Sequence, residues 1–229
     1  MARYFSLLPA AGVGARMGSE LPKQYLPLAG HPMLWHAIHA FEHAAAIERT
    51  YVVLSPDDAY WGRHDWSLLT KLRVLHCGGS TRAESVVNGL RAIVDEVAES
   101  DWILVHDAAR PCLSPVLLAS LLAELSTDEV GGILAAPVSD TLKRQTQAGR
   151  ILETVPREGL WGAQTPQMFR HGLLRRALEH AGTSVTDEAS AIEALGLSPK
   201  LVESDMTNLK VTYPRDLEVA EWLLTRKAG

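Results

Sequence analysis

A short apolar stretch at 4–8 runs straight into PAAGVGARM at 9–17 and then PKQYLPL at 22–28. Tyr4 and Phe5 with their aliphatic neighbours suit a buried first strand, and Gly12, Gly14 and Gly18 let the following chain turn its N–H groups inward. A concave run of amides binds anions. Arg16 and Lys23 add a planar fork and a mobile point charge within reach of the same concavity, which a purely structural turn does not need. The added cations suit a nucleoside triphosphate.

Other glycine-rich phosphate motifs do not fit. In GVGARMG the third glycine comes too late for the dinucleotide fingerprint, the loop runs into Pro22 rather than a helix, and no Gly-Lys-Ser/Thr follows. With 229 residues and 47% hydrophobic composition, the chain can bury the core of one α/β domain. Its net charge is −5 and its basic residues are scattered, so neither nucleic acid nor a membrane is expected as a partner. Cys77 and Cys112 are distant and form no CxxC pair, which fits a reducing, cytoplasmic setting. No segment is long enough to span a membrane, and Pro9 and Gly12 interrupt the N-terminal apolar run before it could be a signal core.

Further along, apolar stretches alternate with helical ones in the rhythm of a parallel sheet covered on both faces. Strands are expected at 4–8, 50–54, 73–76, 102–105 and 132–137, and helices at 33–44, 81–97, 115–125, 172–180, 187–195 and 214–225. His36, His39 and His43 share a helical face, but Trp35, Ile38 and Phe41 make that helix ordinarily amphipathic, and no third-ligand pattern follows. One segment breaks the rhythm. TLKRQTQAGRILETV at 141–155 reads as two strands around Gln147, Ala148 and Gly149, too polar for a core hairpin. A projecting arm at about 138–158 calls for a partner, hence a homodimer of single-domain chains.

In open α/β sheets ligands lie beyond the carboxyl ends of the strands, so the loops there belong to one reading. The first carries Arg16 and Lys23. The third brings GGSTRAESV at 78–86, where the glycines permit close approach and Arg82 and Ser85 sit in the first turn of a helix. The fourth brings VHDAARP at 105–111, with Asp107 at a strand end and Arg110 three residues on. A carboxylate placed there can hold Mg²⁺ beside phosphate and water, or else cap a helix. His106 next to it more often packs or bonds to backbone than catalyses. In the last third, Thr186 precedes a helix and Lys210 lies in NLKVTYP, read as a strand.

Seven blocks carry a resemblance that runs nearly end to end: PAAGVGARMGSELPKQYLPLAG, GGSTRAESV, VHDAARP, PVSDTLKR, VPREGLWGAQTPQMF, TDEASAIEALG and NLKVTYPRDL. In that order they resemble the 2-C-methyl-D-erythritol 4-phosphate cytidylyltransferase family of the non-mevalonate isoprenoid pathway. The resemblance implies a GT-A-like, Rossmann-type nucleotidyltransferase fold and the substrates CTP and methylerythritol phosphate. It also implies Mg²⁺ as cofactor and a dimer whose arms reach the neighbouring active site. Arg16 and Lys23 match the family's transition-state stabilisers, a role that suits phosphoryl-type transfer, where positioning and charge neutralisation dominate.

The nucleotide set it implies is Pro9, Ala10, Ala11, Gly12, Gly14, Gly79, Ser80, Arg82 and Ser85. Asp107, Arg110, Thr186 and Lys210 match positions around methylerythritol phosphate, while Thr141 and Arg157 match arm positions supplied by the partner chain. Ser80 is a departure, standing where many members carry an acidic residue. Two rivals complete the field. A ribitol 5-phosphate cytidylyltransferase of the same fold would carry a bulkier HDAVRP pattern, and a non-catalytic nucleotide-binding module would be expected to have lost the cations.

Overall fold

Phe5 and Leu7 face one side of the first strand and Leu8 the other, and the same alternation recurs at Val52/Val53 and Leu104/Val105. Strands apolar on both faces must be covered on both, and parallel sheets are. In the computed structural model, which describes residues 2–12, 21–182 and 185–226, the elements follow this demand. The first half holds β1 (Tyr4–Pro9), β2 (Pro27–Leu28), β3 (His31–Pro32), α1 (Met33–Glu42), β4 (Ile47–Val53), β5 (Leu72–Leu75), α2 (Arg82–Ala92) and β6 (Trp102–Val105). There follow α3 (Pro115–Leu125), β7 (Gly131–Pro137), β8 (Leu142–Gln145), β9 (Ile151–Val155) and β10 (Trp161–Arg170). The last are α4 (His171–Ala181), α5 (Glu188–Glu193), β11 (Lys200–Glu203) and α6 (Pro214–Arg226).

The main sheet has the order β11-β7-β10-β6-β1-β4-β5. All of its neighbours are parallel except β10, which runs antiparallel to both β6 and β7. Leu34, Ile38 and Phe41 of α1 and Leu117, Leu118, Leu121 and Leu125 of α3 cover one face. Val86 and Leu90 of α2, Leu174, Ala177 and Leu178 of α4, and Ala191 and Ile192 of α5 cover the other. The expected mostly parallel α/β sheet is therefore present, and so is the two-stranded arm, β8 pairing antiparallel with β9 around a turn in which Gly149 has φ 71°.

The expected elements need correction at Lys210, at β10 and at β11, a short strand that they also lack. The stretch around Lys210 is not a strand: 207–213 is loop, fastened to β10 because the Asn208 amide donates to Gln164 Oε1 and Thr165 O, each at 2.8 Å. Strand β10, the antiparallel member at the centre of the sheet, is missing from the expected strands, and it carries Pro166, a residue rare in central strands. The sheet accommodates it at an irregularity: β10 pairs with β7 through Ala163 and resumes at Gln167, so Pro166 falls where no ladder partner is required.

Strands β1 and β6 are neighbours, and the chain passes from β1 to β4 on one side but from β6 to β7 on the other. That is a topological switch point, where the loops after β1, β5 and β6 open a crevice.

Candidate active site

Beyond the carboxyl ends of these strands lies a cavity of about 460 Å³, lined by Pro9, Ala10, Ala11, Gly12, Lys23, Gln24, Gly79, Ser80, Arg82, Ser85, Asp107 and Lys210 among others. Close approach builds its floor. A Cβ at Gly78 would meet Leu54 O at 2.7 Å and Ala11 Cβ, so only glycine lets the loops after β1 and β5 touch. Ser85, 2% exposed, braces the second loop, its hydroxyl accepting from Gly79 N at 3.0 Å and donating to Thr81 O at 2.9 Å. Ser80 turns outward to Glu84, to whose Oε2 its N–H and hydroxyl both donate at 2.7 Å. Gln24, which sequence reading passed over, ties the two halves of the phosphate loop together by donating to Ala10 O at 2.7 Å. Gly14 and Arg16 lie outside the described residues.

A chain of four charges crosses the cavity wall. Arg82 grips Glu188 with both Nη atoms, at 2.7 and 3.0 Å, and donates from Nε to Asp107 Oδ1 at 2.7 Å, while Lys210 Nζ sits 2.7 Å from Asp107 Oδ2. Burial alone would raise the Asp107 pKa, but Arg82 and Lys210 outweigh it and hold the carboxyl well below the usual range. Burial likewise opposes the charge on Arg82, and Glu188 with Asp107 more than offsets it.

His106 is fully buried between Thr165 Oγ1 and Arg110 O, both at 3.0 Å. A carbonyl can only accept, so Nε2 carries the proton and Nδ1 accepts from Thr165. Burial, chiefly, lowers its pKa to about 4. It is a neutral brace for the Asp107 turn.

Next to the first cavity is a second of about 390 Å³, lined by Arg110, Pro137, Ser139, Asp140, Gln164 and Lys210 among others. Arg110 is 8% exposed; Nη1 donates to Asn208 O at 2.6 Å, Nη2 reaches Ala163 O at 3.4 Å, and Nε has no partner. Among the described residues no carboxylate hydrogen-bonds or ion-pairs with this guanidinium, and burial lowers its pKa. A guanidinium that is buried and met only by carbonyls keeps strong donor capacity for an anionic acceptor. Lys210 belongs to both cavities.

The profile of the IspD family, 2-C-methyl-D-erythritol 4-phosphate cytidylyltransferase, matches residues 5–226. The chain belongs to that family. The cytidylyltransferase of Aromatoleum aromaticum is 61% identical over 228 residues, covering 99% of this chain and 97% of that one. That of Azoarcus sp. is 60% identical, covering 99% and 96%. A crystal structure of a 4-diphosphocytidyl-2C-methyl-D-erythritol synthase superimposes with TM-score 0.85 at 44% identity, covering 98% and 99% of the two chains. The Francisella tularensis cytidylyltransferase gives 0.83 at 34%, covering 97% and 100%. As a member, the chain is a nucleotidyltransferase of the non-mevalonate isoprenoid pathway, and neither the ribitol 5-phosphate enzyme nor a non-catalytic module is favoured.

Not all the residues that the cytidylyltransferase resemblance nominates converge. Thr186 lines a separate recess of about 260 Å³ with Thr81, Arg82 and Glu188, so Arg82 stands between it and the main cavity. Thr141 and Arg157 are exposed around the arm and line neither cavity of this chain. Both carboxylate oxygens of Asp107, the residue expected to hold Mg²⁺, are paired with cations, Arg82 at Oδ1 and Lys210 at Oδ2. Among the described residues no group of three His, Cys, Asp or Glu is placed to hold a metal ion by itself. Nor is any helix long and apolar enough to cross a membrane among those residues.

Proposed function

We propose that the two adjoining cavities divide the family reaction between them, CTP in the first and the phosphate of 2-C-methyl-D-erythritol 4-phosphate in the second. Arg110 carries this reading. A dianionic phosphate monoester would satisfy a buried guanidinium that has an idle Nε and no carboxylate of its own. Lys210, shared by both cavities, stands where acceptor and nucleotide would meet.

The reaction forms one P–O bond and breaks another. An oxygen of the acceptor phosphate attacks the α-phosphorus of CTP in line, and the bond to the β-phosphate breaks to release pyrophosphate. Lys23, on the wall of the nucleotide cavity, and Arg16 are proposed to neutralise the charge that develops at the α-phosphate. Backbone amides of the loops at 10–12 and 79–80 hold the nucleotide. Any Mg²⁺ would arrive on the triphosphate, since Asp107 is committed to Arg82 and Lys210.

The arm completes the proposal. Its strand β9 exposes Ile151 at 68% and Leu152 at 62%, more apolar surface than a solvated ribbon needs. We assign 138–158 as the dimerisation arm of a single-domain chain, carrying Thr141 and Arg157 to the partner's acceptor site.

Replacing Arg110 tests the division. Arg110→Gln should raise KM for methylerythritol phosphate by about 10- to 100-fold, the worth of a charge-assisted contact, with KM for CTP little changed. Equal rises in both constants would argue against two separate sites.

A further inference from the structure

We infer that Asp58 is a positioning residue for Lys23, acting through the hydroxyl of Tyr25; the inference rests on the role proposed above for Lys23. Lys23, Gln24 and Tyr25 form one 3-10 turn, closed by Tyr25 N donating to Pro22 O at 2.9 Å and Leu26 N to Lys23 O at 3.1 Å. Three residues per turn send successive side chains about 120° apart, so the three reach three different parts of the molecule. Lys23 Nζ donates to Val211 O at 2.8 Å, next to Lys210. Gln24 donates to Ala10 O in the glycine loop. Tyr25, 1% exposed, donates its hydroxyl to Asp58 Oδ2 at 2.9 Å.

Asp58 is itself fixed. Its Oδ1 accepts from Tyr60 N at 2.9 Å and Trp61 N at 2.8 Å, pinning the start of the short 3-10 turn Trp61–Arg63. That segment is an aromatic block: Tyr25 stacks with Tyr60 at 5.6 Å and with His64 at 5.5 Å, and Trp61 with Trp66 at 4.0 Å. A buried hydroxyl needs only some acceptor, and a nearby carbonyl would do. A carboxylate held on another loop by two backbone amides does more, because it fixes where the hydroxyl must point. Burial, and then the Asp58 hydrogen bond, raise the Tyr25 pKa, so the hydroxyl remains a donor throughout the working range. With Gln24 anchored on one side and Tyr25 on another, the turn cannot rotate about its own axis, and the direction of Lys23 is set.

Tyr25→Phe removes one oxygen and keeps the ring stack. Measured by pyrophosphate release, Tyr25→Phe and Asp58→Asn should each lose between about 10- and 100-fold in kcat, the scale of a small misplacement of a reacting group. KM for both substrates and the melting temperature of Tyr25→Phe should stay close to those of the parent. In the Lys23→Ala background Tyr25→Phe should cost nothing more, since its effect passes through the missing amine. Three results overturn the inference alone: parental kcat in Tyr25→Phe beside a crippled Lys23→Ala, the same fold loss in both backgrounds, or a loss that appears only as raised KM with a lowered melting temperature. Near-normal turnover of Lys23→Ala would remove Lys23 from the chemistry and overturn both readings.

Discussion

At the scale of single residues the site is a problem of charge. Arg82, Asp107, Glu188 and Lys210 neutralise one another in a row, whereas Arg110 meets carbonyl oxygens and, among the described residues, pairs with no carboxylate. Lys23→Ala should therefore leave the fold intact and lower kcat by roughly 100- to 1000-fold, about 3 kcal/mol of transition-state stabilisation; circular dichroism beside turnover separates the two effects. His106 supplies a second prediction at this scale. Its folded pKa of about 4 lies below the ordinary value, so the unfolded chain binds a proton that the folded chain refuses. The stability from keeping it neutral is complete above pH ~6.5 and is lost as pH falls toward about 4, a change on the order of 3 kcal/mol. Denaturant titrations across that window should show stability rising with pH, and a shallower slope in His106→Gln, in which His36 and His39, whose pKa values burial also lowers, still contribute. An unchanged slope would mean that folding does not hinder protonation of His106.

At the scale of elements, legibility depended on how ordinary the local signal was. Strand β6 and helix α3 begin and end where apolar periodicity and the Ser114 cap with Pro115 place them. The arm was legible because Gly149 marks a turn within a polar segment. Strand β10 carries Pro166, a residue rare in central strands, and β11 is only four residues long with Lys200 and Glu203 at its ends. Lys210 was given a strand because Val211 and Tyr213 read as β-formers; side-chain bonds from Asn208 and Gln164, which no local pattern encodes, hold it in a loop instead. Asn208→Ala should cost roughly 1–3 kcal/mol, the penalty for buried groups left unpaired. It should also raise KM for the acceptor, because the lost amide bonds fix the loop whose backbone carbonyl at Asn208 accepts from Arg110 and which carries Lys210. Thermal unfolding with steady-state kinetics checks both halves, and a stability loss without a change in that KM would detach the loop from acceptor binding.

At the scale of the whole molecule, the sheet order brings three separate loops to one crevice, and the sequence motifs already lay on those loops. Their partners were harder to read. That Asp107 is clasped by Arg82 and Lys210, or that Asp58 meets Tyr25, depends on side chains brought together from opposite ends of the chain or from different loops. The proposed dimer makes its own prediction. If Arg157 acts in the partner's site, inactive Arg157→Ala and Lys23→Ala homodimers, once their subunits exchange, should regain partial activity, because mixed dimers carry one intact site. No recovery with exchange verified by mass would place each site within one chain.

Every residue role proposed above depends on the reaction itself. Pyrophosphate release in Mg²⁺, with CTP, UTP and ATP each offered against methylerythritol 4-phosphate and ribitol 5-phosphate, is the direct measurement. Turnover confined to CTP with methylerythritol 4-phosphate is the predicted result, and preference for ribitol 5-phosphate, or no turnover with any pair, would contradict it.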